Sequence, residues 1–264
     1  MGSRGLMTSW NHSRALKTML ERKSIRRFED KEVPRDLIEQ IVRAGQRAPT
    51  GGNMQLYSFV LISDPYKKKQ ISQAIGSQRC MQEAPVWIMV CVDWHRHIKF
   101  LKSLGIETRW RQVEKFWRGI ICAILAAENM VLAAEALGLG SVFVGDPRSA
   151  TVKIARILKM PDNNVLPVVL LCIGYPAENP PQRPRWSLEA VLHENEYEPA
   201  SEQLIKDYYE AANKRLVEMN YFKYLKIEGI SSWAEHLKMR FPPNQKRVTE
   251  EILRKDLREL GFLY

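Results

Sequence analysis

Gly138-Leu139-Gly140-Ser141-Val142-Phe143-Val144-Gly145 is the stretch on which the fold turns. The residues before it, Gly119 to Leu137, are Ala-rich and apolar nearly all round, which predicts a central, buried helix. Gly138 and Gly140 end that helix, because glycine accepts the backbone that closes a helix C-terminus. Ser141 to Val144 then reads as a short buried strand. Helix and strand are joined here by a glycine turn, so the two kinds of element alternate along one chain.

The same alternation extends outward in both directions. Ser13 to Lys23 reads as a helix with Ala15, Leu16, Met19 and Leu20 on one face. Pro34 opens a second helix, Tyr57 to Ile62 is a strand, and Asp64-Pro65 starts the next helix. Pro85 to Val92 and Val165 to Ile173 are apolar enough for buried strands, with a helix near Ala150 to Leu158 before the second. Glu202 to Leu216 and Lys246 to Leu260 are amphipathic helices, and His95 to Trp117 is basic, aromatic and partly helical. Ala48 to Gln55 and the Pro-rich Gly174 to Arg185 are loops. The strands are few for a doubly wound sheet, and no GxGxxG follows one of them. There is no internal repeat. Local pattern alone therefore leaves α+β and α/β both open.

At 264 residues and 45% hydrophobic, the chain can bury a sizeable core as one large domain or two small ones. No apolar run approaches the ~20 residues of a membrane-spanning helix, and Met1 to Ser9 lacks the apolar stretch of a secretory signal. Cys80, Cys91, Cys122 and Cys172 are widely spaced, with no CxxC and no zinc spacing, which suits a reducing cytoplasm and predicts no metal site. The net charge of +10 favours anionic ligands. Seven Lys/Arg against two acids between His95 and Arg118 concentrate part of it. Nucleic acid is one such ligand, but no recognised nucleic-acid module accompanies the charge.

Four islands carry the chemistry. Arg22-Lys23-Ser24-Ile25-Arg26 sets three cations and a hydroxyl in five residues, either as a cradle for a phosphate-bearing ligand or as a solvated helix end. Pro49-Thr50-Gly51-Gly52-Asn53-Met54-Gln55 has small residues that permit close backbone approach, and amides at Asn53 and Gln55 for a polar heterocycle. An ordinary surface turn would look similar. The Gly138 to Gly145 segment is the third, and Arg183-Pro184-Arg185 the fourth.

In their order and spacing these islands resemble the nitroreductase family of FMN enzymes, and most closely its NADPH-dependent nitroreductase and flavin reductase branch. The resemblance implies an α+β fold, a small and mainly antiparallel sheet surrounded by helices, in an intertwined homodimer. It implies an N-terminal extension at 1–12, an FMN-binding domain at 13–199 and a C-terminal extension at 200–264 that wraps the dimer partner. Ser232-Trp233, Glu235-His236 and Leu260-Gly261-Phe262 match the tails of that branch. By resemblance, Arg22, Lys23 and Ser24 hold the FMN phosphate and ribityl chain, and Arg26 faces the flavin N1/O2 edge. Pro49, Thr50, Gly51, Asn53 and Gln55 lie along the isoalloxazine, and Gln78 meets the pyrimidine edge. Backbone amides at Phe143, Val144 and Gly145 approach N5, and Arg183 and Arg185 close over the phosphate.

The activity implied is ping-pong hydride transfer from NAD(P)H to flavin N5, then to a nitroaromatic, quinone or flavin acceptor. The cofactor carries the chemistry, so no catalytic side chain, nucleic acid or membrane is called for. Trp94, Trp110 and Trp117 are candidates for an aromatic acceptor site, His95 and His97 for the pocket mouth, and Lys214 or Arg215 for a cofactor 2′-phosphate. Reductive dehalogenation, flavin storage and nucleic-acid binding are the alternative functions.

Overall fold

The structure is a computed structural model that describes residues 13–107, 112–161, 163–224, 229–241 and 248–263. Trp110 lies outside the described residues. The first helix, α1 (Arg14–Glu21), is capped by the Ser13 side chain, which accepts from the Leu16 N–H. α2 (Arg35–Gly45) follows, then the strand β1 (Tyr57–Leu61) and α3 (Pro65–Ile75), with Asp64 as N-cap and Pro65 in the first turn. Next come the short α4 (Arg79–Glu83), β2 (Val86–Asp93), α5 (His95–Ser103) and α6 (Gln112–Ala136). β3 (Gly140–Val144), α7 (Thr151–Ile157) and β4 (Val165–Gly174) complete the sheet region. α8 (Glu202–Glu218), α9 (Tyr221–Tyr224), α10 (Trp233–Arg240) and α11 (Val248–Glu259) make up the rest.

The strands form one sheet in the order β1-β2-β4-β3, and every neighbouring pair is antiparallel. The α+β expectation holds. β2 and β4 are central, and all eight residues of β2 are buried. That is why their sequences read as unbroken apolar runs: both faces are covered. Ile88, Val90 and Val92 face the core beneath α6, while Trp87, Met89 and Cys91 face a second core that includes Ile71, Met81 and Ile154 from α3, α4 and α7. The register slips between Val90 and Cys91, where β4 supplies Pro167, a residue with no N–H to give a ladder.

α6 begins seven residues earlier than the expected Gly119. Gly119 marks no boundary. A Cβ there would lie 2.3 Å from Val92 Cγ1, so the glycine lets the helix lie against β2. The Ala123, Ala126, Ala127 and Ala134 face is buried for the same reason. The opposite side is exposed and apolar: Val113, Trp117, Ile121, Ile124 and Leu125, with Trp117 67% exposed. By length and hydropathy α6 is apolar enough to cross a membrane, which corrects the expectation that no segment is. Its other side is packed in the core.

Contacts divide the chain into two compact units, one running to Pro180 and rejoined by the residues of α11, the other starting at Pro181. The sequence suggested a cut after residue 199. In the first unit α11 docks on α7, where Asp256 accepts from Thr151 Oγ1 at 2.6 Å and from the Val152 N–H at 3.2 Å. Phe262 just beyond it is fully buried. In the second unit α8 and α10 pack together, Ser201 caps α8, and Ser232 with Glu235 forms a capping box on α10.

Candidate flavin-binding site

Arg22 terminates α1, and the chain then runs along β3. Ser24 bridges Ser141 in parallel, and the Ile25 N–H donates to Ser141 O at 2.9 Å. Further on, Phe28 bridges Pro176, the Ala177 N–H donates to Arg27 O, and the Glu29 N–H donates to Tyr175 O. The cationic stretch is thus an extended, strand-like segment tied to the β3 edge by one bridge, not a solvated helix end. Two glycines make this possible. Gly138 takes φ +79° to close α6, and Leu139 N–H returns to Ala134 O. Gly140 leaves room for Ile25, since a Cβ there would lie 2.6 Å from Ile25 Cγ1.

The four cations of this strand have different fates. Lys23 Nζ donates to Asn179 Oδ1. Arg22 Nε lies 3.4 Å from Glu128 Oε1 of α6. Arg26 and Arg27 both donate their backbone N–H to Glu178 Oε1, at 2.5 and 3.1 Å. The Arg26 guanidinium makes no ion pair with a described residue, whereas Arg27 Nε reaches both oxygens of Glu83 at 3.0 Å and Arg79 Nε reaches Oε1 at 2.6 Å. Burial works to raise the Glu83 pKa, but the bonds from Arg79, the Phe28 N–H and Arg27 outweigh it and hold the carboxyl below its ordinary value.

Glu83 ties α4 to the strand, and so brings Gln78, the N-cap of α4, toward Arg26. Burial pushes the Cys80 thiol up, and the Arg26 charge opposes it. Ser24 meets β3 at Ser141, but Ile25 packs on Gly140 and Phe28 pairs with Pro176, beyond the Gly174 that pairs with Gly140, so Arg26 lies by the start of β3 and away from Gly145. Arg22, Ser24 and Arg26 therefore gather at the start of β3, with Gln78 on the helix that Glu83 ties to them and Lys23 turned to Asn179.

The Pro49 to Gln55 loop lies elsewhere. It enters β1, at the opposite edge of the sheet from β3. Tyr57 pairs with Val92, and Val92 with Leu166, so the loop and Gly145 lie toward the same end of the sheet. At about 4.8 Å per strand spacing they are separated by on the order of 15 Å. The loop is strongly shaped: Gly52, Asn53 and Gln55 have φ of +61°, +54° and +49°. A left-handed backbone at two non-glycine residues is strained and must be held by its surroundings. Holding it are Arg96 Nη2, which donates to Gln55 O and Tyr57 O at 3.1 and 2.6 Å, and His97 Nε2, 2.5 Å from Met54 O. The basic segment thus clips the loop. Trp94, a candidate acceptor-site residue, is instead core: it is fully buried and donates Nε1–H to Lys115 O at 2.9 Å.

Arg183 and Arg185 belong to the second unit. They line a cavity of about 270 Å³ with Pro184, Tyr208, Tyr221 and Trp233. Arg183 stands over the Tyr221 ring at 4.5 Å, and Arg185 Nη1 donates to Arg183 O and Pro184 O.

This is the architecture of an α+β protein with a cationic segment at one sheet edge. Residues 19–175 match the sequence profile described as the Nitroreductase family, and the chain belongs to that family. It is 35% identical over 184 residues to the FMN reductase (NADPH) of Bacillus subtilis (strain 168), covering 69% of this chain and 74% of that protein. It is 29% identical over 239 residues to the oxygen-insensitive NADPH nitroreductase of Salmonella typhimurium, covering 88% of this chain and 93% of that protein. Nitroreductase A from Vibrio parahaemolyticus superposes with a TM-score of 0.79 at 26% identity, over 94% of this chain and 97% of that one.

FMN fits the residues present. Arg26 is a half-buried cation with no described counter-ion, while its neighbours Arg22, Arg27 and Arg79 all have one. Beside it, Ser141 Oγ is buried, its residue 1% exposed, with no hydrogen-bond partner among the described residues. Buried polar atoms are seldom left so, and a cation with an orphan hydroxyl suits an anionic, hydrogen-bonding ligand. The acids Glu83, Glu128, Glu135 and Glu178 that surround this strand carried no signal in the sequence. Each comes from an element distant in the chain.

Proposed function

We propose that this protein is an FMN-dependent NAD(P)H oxidoreductase that passes electrons to nitroaromatic, quinone or flavin acceptors. The observation that carries this reading is the Arg26 guanidinium, which has no described counter-ion, on a segment bridged to β3 in a chain of the Nitroreductase family. The names of the relatives, FMN reductase (NADPH) and NADPH nitroreductase, support flavin and NADPH as its ligands. When bound, FMN supplies the hydride-accepting and hydride-donating chemistry. The protein's part is placement and charge. Arg22 and Ser24 hold the phosphate and ribityl chain, and Lys23 supports that strand through Asn179. Arg26 offers positive charge at the N1/O2 edge, where negative charge develops on reduction. Gln78 can both donate to and accept from the pyrimidine edge. The backbone at Phe143, Val144 and Gly145 orients the reactive edge.

The protein acts as a homodimer in this reading. Pro49, Thr50, Gly51, Asn53 and Gln55 sit at the sheet edge opposite Arg26. A partner related by a two-fold axis can bring its own loop to this edge, where one chain cannot. The exposed apolar side of α6 gives such a partner something to cover. The C-terminal segment would embrace it. The four cysteines are free and buried, which suits the cytoplasm.

The test is the visible absorption spectrum of the purified protein before and after anaerobic NADPH. An oxidised-flavin spectrum that bleaches on NADPH addition is expected. A colourless protein that also takes up no added FMN would overturn the reading.

A further inference from the structure

The strand that should receive the phosphate is supplied with acids as well as cations. Arg22 is the first cation on it, and its side chain is 24% exposed. Glu128 of α6 holds its guanidinium at 3.4 Å and is itself 45% exposed. Seven residues further along the same helix, two turns on and on the same face, stands Glu135. One of its carboxylate oxygens is buried and has no described partner. Burial raises the Glu135 pKa, against the pull of Arg22 and of a bond from the Lys23 backbone N–H. Arg22 therefore faces two carboxylates from one helix, whereas the Arg26 guanidinium pairs with no described carboxylate.

An incoming phosphate dianion and these carboxylates compete for the same guanidinium. We propose that Glu128 is an affinity-setting residue: its ion pair with Arg22 must be given up when the phosphate of FMN binds, so the protein holds FMN more loosely than its cation count would allow. The inference rests on the flavin-binding reading above. Its consequence is functional. A protein that releases FMN readily can use it as a substrate as well as a resident cofactor. Glu128 touches neither the flavin ring nor the substrate in this scheme. It acts through Arg22, and only on the charged end of the ligand.

The sign of the effect separates this role from the usual one. A carboxylate that orients an arginine for its ligand weakens binding when removed. A carboxylate that competes with the ligand strengthens it. The experiment compares flavin-stripped wild type with Glu128→Gln, titrating each with FMN and with riboflavin, which lacks the phosphate, by flavin fluorescence. FMN should bind about two- to fivefold tighter to the variant, the range of a partly exposed ion pair. Riboflavin affinity should not change. The gain should shrink in an Arg22→Ala background, since the coupling runs through that guanidinium. Glu128→Ala keeps helix propensity and should act in the same direction. An unchanged or reduced ratio of FMN to riboflavin affinity would overturn the inference, as would an equal gain without Arg22. Wild type that binds FMN normally while the variant shows no gain removes this inference alone. Wild type that binds no flavin removes the functional reading with it.

Discussion

Lys115 is the most unusual cation in the first unit, and replacing it should make the protein more stable near neutral pH. The residue is 5% exposed, in the first turns of α6. Its Nζ donates to Asn164 Oδ1 at 2.5 Å and lies 4.9 Å from the centre of the Phe262 ring. No described carboxylate pairs with it, and burial pulls its pKa from 10.5 down to about 8. The sign follows from linkage. Below pH 8 the amine is protonated in both folded and unfolded chains, so the whole penalty of burying its charge is present. Between pH 8 and 10.5 the folded protein releases the proton and the unfolded chain keeps it. The unfolded state then binds more protons, and stability rises with pH. At 1.36 kcal/mol per pH unit, the ceiling is roughly 3 kcal/mol, and about 1–3 kcal/mol is the realistic range. Lys115→Met keeps the length and apolar body of the side chain without the charge. Urea unfolding of wild type and variant at fixed protein concentration, at pH 7, 8, 9 and 10, measures the difference directly. The variant should lead at pH 7, and its lead should close by pH 10. Lys68, whose pKa burial also lowers, and Tyr57 and Cys80, whose pKa burial raises, titrate in both proteins and cancel in the comparison. A difference that stays flat from pH 7 to 10 would refute the reasoning, because it would place Lys115 in a solvated or paired state.

Two further substitutions probe the β3 edge. Gly140→Ala puts a Cβ 2.6–2.9 Å from three atoms of Ile25, a β-branched side chain with little room to turn. The strand must shift, at about 1–3 kcal/mol of stability, and flavin retention should fall with it. A thermal midpoint and FMN affinity both equal to wild type would show that the strand and β3 are not locked together. Arg26→Ala removes the free cation and should lower the midpoint potential of bound flavin by on the order of 30 mV, equivalent to about 1.4 kcal/mol in a two-electron couple. Spectroelectrochemistry reads this, and an unchanged potential removes Arg26 from the N1/O2 edge.

Much of the fold was legible because its signals are local. Each of the four strands coincides with a predicted strand, and the central β2 and β4, with both faces covered, read as unbroken apolar runs. α1, α2, α3 and α7 begin within about two residues of their expected starts, where Ser13, Pro34 and Asp64-Pro65 are read the same way by sequence and structure. The illegible parts are those where tertiary packing overrides a local cue. Gly119 looks like a boundary and is a contact point with Val92 inside a continuous helix. α4 has only five residues and no cap signal, yet its Glu83 is the residue that joins Gln78 to the cationic strand. Trp94 has the composition of a ligand-stacking residue, and only the sheet's geometry reveals that it is core.

The candidate site divides along the same line. The cations Arg22, Lys23 and Arg26 are conspicuous in sequence because like charges cluster there. Nothing in the sequence says which of them is free. The answer depends on Glu128 and Glu135 of α6, which face Arg22, and on Asn179 after β4, which accepts from Lys23. Those partners leave the Arg26 guanidinium as the one among the three without a described partner. Their effect is a selection: the strand's charge is neutralised where the chain needs it for folding and left open at Arg26, by the start of β3. A cationic motif read by itself overstates both the affinity and the number of ligand contacts it provides. The opposite edge carries the complementary half of the argument. Asn53 and Gln55 are held in left-handed conformations by Arg96 and His97, so the basic segment spends part of its charge on shaping a loop. Strain maintained in that loop is intelligible if a second copy of the chain uses it.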